Sequence, residues 1–284
     1  LVGASAGSVL AASLGCGMSV ATLANHQAGT PAADDPVLEY DYDHDSGGSL
    51  PPLPKLGIGS AGLLLEATVH PWRVTPMAAL ASLLPQGRGS LAPVGGVIDA
   101  LLDATSDGGA DDAWATHPNT WVVAMDYRTG KRTAFGRAGS PTARLSQAVM
   151  ASCSIPGWFA PQVIGGRPYV DGGACSPTSL DLVLPLELDT VYVVSPMTSL
   201  HYDDPSSVAA RLERQVRRLV TRRLVREAAK VRRTGTNVVL LGPGPEDLQA
   251  IGANLMDPKR REQVFETSVR TSRAALASDF AATG

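Results

Sequence analysis

Leu1-Val2-Gly3-Ala4-Ser5-Ala6-Gly7-Ser8 opens the chain, and everything downstream is read against it. Two apolar residues run into Gly-x-Ser-x-Gly, the pattern of a strand that turns sharply into a helix with a serine on the turn. Such a serine sits in strained backbone geometry with its hydroxyl pushed into the open. Gly3 and Gly7 are expected to let strand and helix pass closely. The helix that follows sets its positive end, and the N–H of Ala6, beside whatever oxygen Ser5 attacks. A chain with 29 glycines produces this pattern by chance often enough that the motif needs a partner elsewhere.

Composition bounds the search. The 284 residues are 44% apolar and 18% charged, which describes a globular chain able to bury a substantial core. A net charge of −3 gives no general attraction to nucleic acid. Arginine far exceeds lysine and alanine is abundant, as in GC-rich bacterial genomes. Cys16, Cys153 and Cys175 are widely spaced and form no Cys-x-x-Cys, which argues against a disulfide framework or zinc site and fits a reducing, cytoplasmic compartment. Residues 1–33 carry no charge, yet they are Ala-, Gly- and Ser-rich and lack a basic leader, so they read as a buried strand, turn and helix rather than a membrane or signal segment. That helix is expected from Val9 to Leu23.

Residues 31–57 read as a long loop with five prolines and an acidic run. Asp41-x-Asp43-x-Asp45 imitates the start of a calcium loop, but Ser46 and Pro52 replace the required Gly and Glu, so no metal is assigned. Residues 58–115 read as apolar helices, one starting at Thr75-Pro76; they can be core or wall an acyl-chain pocket. Trp121 to Met125 is a buried strand returning through a turn to Arg132–Phe135, and Ser140-Pro141 starts a helix through Met150. A hairpin about Gly165-Gly166 then delivers Tyr169-Val170-Asp171-Gly172-Gly173. Asp171 is thus presented from a tight turn, where a carboxylate can accept a serine proton; the alternative is a turn aspartate binding its own backbone.

With both pieces in view, the chain resembles the patatin-like phospholipase family. The resemblance rests on Gly3-Ala4-Ser5-Ala6-Gly7, on the run from Ala148 through Ser152-Cys153-Ser154-Ile155-Pro156-Gly157 to Pro161, and on Tyr169 to Gly173. It covers roughly residues 1–200. It implies an α/β three-layer sandwich with a mainly parallel central sheet flanked by helices, and hydrolysis of lipid acyl esters by a Ser–Asp dyad without a cofactor. Residue by residue, it implies Ser5 as nucleophile, Asp171 as base, Ala6 N–H as an oxyanion donor and Gly172-Gly173 as the dyad loop. The family also carries a glycine-rich oxyanion loop ahead of the elbow. Nothing precedes Leu1 in this sequence, so the chain reads as N-terminally incomplete, with weak or no hydrolysis expected of it as written.

The remainder is expected to complete a single domain spanning 1–284. Val191 to Val194 and 236–241 read as parallel strands, and 258–279 as a closing helix. Residues 208–233 form a helix with ten basic residues against Glu213 and Glu227. Its apolar stripe (Leu212, Val216, Leu219, Val220, Leu224, Ala228) should pack inward; its charge suits peripheral contact with an anionic membrane, whereas nucleic acid would need aromatic partners. Two other readings are kept: an α/β-hydrolase triad of Ser5, Asp171 and His201, and a non-catalytic protein that binds lipid or a partner through 208–233.

Overall fold

A computed structural model describes residues 1–33, 35–37, 51–105, 113–200, 208–254 and 257–283. The acidic run Asp41–Asp45 and His201 lie outside the described residues. The chain forms two compact units, Leu1–Ser179 and Leu180–Gly284.

In the first unit, β1 (Val2–Ala4) leads into α1 (Ala6–Gly15), followed by α2 (Val20–Ala28). The single helix expected over Val9–Leu23 is thus two. Ser19 caps α2 by accepting the Thr22 N–H at 3.0 Å, which fixes a new helix start after the turn at Cys16-Gly17. Next come α3 (Ala61–Val69), α4 (Pro76–Leu83) and α5 (Ala92–Thr105). Ser60 and Thr75 cap α3 and α4, and Pro76 occupies the first turn of α4 as expected. Strand β2 (Trp121–Asp126) returns as β3 (Arg132–Phe135), α6 (Leu145–Cys153) follows, and β4 (Gln162–Ile164) and β5 (Arg167–Asp171) form the expected hairpin. Gly165 and Gly166, at φ 56° and 72°, make its tight turn. The helix α6 begins at Leu145 rather than at Ser140-Pro141, because the Ser140 hydroxyl is spent on the Ala134 carbonyl at 2.5 Å.

The sheet corrects the expected mainly parallel arrangement: it is mixed and mostly antiparallel. Only β1 pairs in parallel, with β2; β2–β3, β2–β5 and β4–β5 are antiparallel. The cause is connectivity, since short hairpin turns join β2 to β3 and β4 to β5, and such turns can link only antiparallel neighbours. All six residues of β2 are buried, as a strand covered on both faces requires. Val122 and Ala124 meet Ala12 of α1, Ile98 and Leu101 of α5, and Leu145 and Ala148 of α6. Met125, with Tyr127 beyond the strand, meets Leu63 of α3 and Ala78 of α4. Alternation along one strand therefore sorts the helices onto two sides.

In the second unit, β6 (Thr190–Val194) and β7 (Asn237–Leu241) pair in parallel over five residues, with α7 (Val208–Arg232) between them in sequence. The helices α8 (Pro245–Ile251) and α9 (Arg261–Thr283) follow. The inward face of α7 differs from the expected stripe. Val220, Leu224 and Ala228 are buried, but so are Arg214, Arg217 and Glu227, whereas Leu212, Val216 and Leu219 face outward. Arg217 can be buried because Glu213 and the carbonyls of Pro196 and Thr198 accept from its guanidinium. Among the described residues, no helix is long and apolar enough to cross a membrane.

Candidate active site

The register of β2 decides where the elbow lies. Val122 to Met125 pair with β3, so β3 fills one edge of β2. The opposite edge is shared. Val122 and Val123 pair with Gly3 and Ala4 of β1, while Ala124 and Met125 pair with Asp171 and Val170 of β5. Because β5 runs against β2 and β1 runs with it, their C-terminal ends meet head to head between Val123 and Ala124. Neither strand can continue, and both chains turn out of the sheet at that point.

On the β1 side the turn is Ser5, at φ 52° and ψ −132°, a conformation that costs a non-glycine residue about 1–3 kcal/mol. The helix α1 folds back so closely that a Cβ on Gly3 would lie 2.1 Å from the Gly7 carbonyl oxygen. Gly3 therefore has the steric role expected of it. Gly7 does not: a Cβ there would meet nothing within 4 Å. Ala6 and Gly7 are exposed at the start of α1, where helical N–H groups have no acceptor within the helix. The Ser5 carbonyl is held by Ser8, whose N–H and hydroxyl donate to it at 2.7 and 2.6 Å.

On the β5 side the turn is Gly172-Gly173. The Asp171 carboxylate accepts the Gly173 N–H at 2.7 Å, as a turn aspartate does, and the Ser5 hydroxyl is near enough to favour its charged form. The turn-aspartate role weighed for Asp171 is thus present. A Cβ on Gly172 would stand 2.5 Å from the Val123 carbonyl oxygen, so the turn presses against β2. Burial pushes the Asp171 carboxyl up to about 6, held back by the Gly173 N–H and the Ser5 hydroxyl.

The end of α6 binds the two turns together, a role that sequence reading did not assign to the Ser152-Cys153-Ser154 run it had quoted. The regular parallel ladder, which runs Trp121 N–H to Leu1 carbonyl at 2.8 Å, would continue to a bond from Ser5 N–H to the Val123 carbonyl. The Ser152 hydroxyl stands between them. It accepts the Ser5 N–H at 2.9 Å and donates to Val123 at 2.6 Å, and Ser152 is fully buried. Two residues on, the Ser154 carbonyl accepts the Asp171 N–H at 2.9 Å. Cys153 lies between, its sulfur 3.7 Å from the Ser8 hydroxyl, and burial together with the Asp171 charge pushes its thiol up to about 12. A run of small hydroxyl residues closing an apolar helix was the available signal, because such residues reach backbone groups that larger side chains would crowd.

The arrangement presents a serine on a strained turn, near a buried carboxylate and at the N-terminus of a helix. Of the residues singled out from sequence, Ser5, Ala6, Gly3, Asp171, Gly172 and Gly173 converge here, and His201 falls outside the described residues. The family model for patatin-like phospholipase matches residues 1–184, nearly two thirds of the chain and the whole of the unit that carries this serine and carboxylate, and the chain belongs to that family.

Proposed function

We propose that the chain is a serine acyl hydrolase that cleaves acyl esters of lipids through a Ser5–Asp171 dyad. The observation that supports this reading is the strained Ser5 turn set beside Asp171 on one edge of β2, with a carboxylate that burial has made more basic than usual. In the first half-reaction the Ser5 oxygen bonds to the acyl carbon while its proton passes to Asp171. The developing oxyanion lies toward the Ala6 N–H and the positive end of α1. Collapse breaks the ester bond, and Asp171 returns the proton to the departing alcohol, leaving an acyl-serine. Water then attacks the acyl carbon, giving its proton to Asp171, which passes it back to Ser5 as the free acid leaves.

The outward face of α7 supports peripheral contact with an anionic membrane, since Arg218, Arg222 and Arg226 stand there among Leu212, Val216 and Leu219. The test of the dyad is turnover of a p-nitrophenyl ester alongside labelling by a fluorophosphonate. Wild type should label at Ser5. Ser5→Ala and Asp171→Asn should each lose on the order of 10²–10⁴ in kcat. Turnover retained in Asp171→Asn would sink the dyad, and a wild-type chain that neither labels nor turns over would sink the hydrolase reading.

A further inference from the structure

The outer surface at α3 and α4 is built the wrong way round for water. In α4 the one polar side chain past the first residue, Ser82, is buried and donates to the Ala79 carbonyl at 2.6 Å, while Met77, Leu80 and Leu83 face outward. Leu80 is 54% exposed, Leu65 on α3 64%, and Trp72 between the two helices 75%. Leu56 is wholly exposed. The helices α3 and α4 pack on each other, and the segment carrying Leu56 is laced along the end of α4 by Lys55 N–H to Gln86 carbonyl at 2.8 Å and Ser60 N–H to Ser82 carbonyl at 3.1 Å. A helix apolar on both faces is ordinarily covered by something.

The charges around it say what. Residues 51–90 contain Lys55, Arg73 and Arg88, all exposed, and a single carboxylate, Glu66. Glu66 is itself occupied, 3.3 Å from His70 and 4.0 Å from Arg73. Exposed leucines, an exposed tryptophan and this excess of cations within the same stretch of chain complement the interface of an anionic bilayer. The surface is also tied to the site: the Thr75 hydroxyl that starts α4 donates at 3.0 Å to the carbonyl of Ala174, in the turn that follows Asp171. We infer that the α3–α4 face docks the first unit on an anionic lipid surface and holds the Ser5 turn against the acyl esters in it. Its purpose, though not the docking itself, rests on the hydrolase reading above.

The test mixes the full chain with phosphatidylcholine vesicles with and without phosphatidylglycerol. Trp72 emission, taken as the difference from Trp72→Phe, should shift to the blue and be quenched by bromolipids, more so with phosphatidylglycerol. The double variant Leu80→Glu/Leu83→Glu, which adds two charges to the docking face, should lose most of the Trp72 blue shift and bromolipid quenching whatever contact α7 keeps. Its turnover of a water-soluble ester should stay within about twofold of wild type, showing site and fold intact. A chain without any esterase activity still yields the vesicle result, so the two readings fail separately. An unshifted Trp72, or a double variant quenched as fully as wild type, would overturn the docking. So would a wild-type dimer in light scattering that the double variant dissolves, which would give the face to a second copy.

Discussion

Ala4 and Asp171 stand on adjacent rungs of one edge of β2, paired to Val123 and Ala124, although 167 positions separate them in the chain. That adjacency makes Ser5 turn, since the next rung is already taken. It also brings the Ser5 turn beside the Asp171 turn.

Gly3 and Gly7, symmetrical in the motif, should respond differently to the same substitution. In Gly3→Ala the new methyl meets only backbone, the Gly7 carbonyl at 2.1 Å and the Ser8 Cα at 2.7 Å, so strand and helix must part. The cost should be about 3 kcal/mol or more, with thermal unfolding lowered by roughly 6–12 °C. Gly7→Ala meets open space on a helix and should melt at or above the wild-type temperature. Equal melting temperatures for the two variants would refute the close packing at Gly3.

Ser152→Ala tests the hydroxyl that replaces a ladder bond. Its removal leaves the Ser5 N–H and the Val123 carbonyl facing each other across a gap, both without that partner. A loss of about 1–3 kcal/mol in stability is expected. The looser turn should also lower kcat while KM holds, because Ser152 positions the serine and touches no substrate. A kcat within twofold of wild type would show that Ser5 is held in place by β1 and α1 alone.

The Cys153 thiol offers a readout of the same junction. Burial and the neighbouring Asp171 charge keep it protonated, and burial also raises Cys16. In the native chain at about pH 8, iodoacetamide should therefore modify Cys153 far more slowly than in the denatured chain. Asp171→Asn should speed the native reaction by removing the charge contribution. Native labelling of Cys153 as fast as in denaturant would mean that the junction is open.

Much of this was legible locally, and the misses share a cause. The turn at Ser5, the hairpin at Gly165-Gly166 and the start of α4 at Thr75-Pro76 are each specified by residues within a few positions of one another. The sense of the sheet is not. The three residues of β1 and the five of β5 are short runs that fit either direction, and the sharing of one β2 edge is a long-range fact. The inward face of α7 was misread for a related reason. Counting Leu212, Val216 and Leu219 as core assumed that arginine stays outside, whereas Arg217 finds the Pro196 and Thr198 carbonyls and goes in. The same assumption hid the α3–α4 face, where the leucines are outside.

Protonation of Asp171 gives the last prediction, and its sign can be worked out. Its carboxyl titrates near 3.8 when unfolded and is raised to about 6 when folded. Between those values the folded chain binds the proton more tightly, so stability falls as pH rises from about 4 to 6 and stays reduced above. The displacement is worth on the order of 3 kcal/mol. Asp171→Asn, neutral at every pH and still able to accept the Gly173 N–H, should therefore be the more stable chain at about pH 7–8, by ~1–3 kcal/mol. That advantage should vanish below about pH 4. Catalysis runs the other way, because only the ionised carboxylate can take the Ser5 proton: ester turnover by wild type should rise with pH through an inflection near 6. Denaturant titrations of both chains at low and neutral pH, set beside the wild-type rate profile, test the two signs together. A stability gap that does not change with pH would mean that Asp171 is not buried as the carboxylate at this junction.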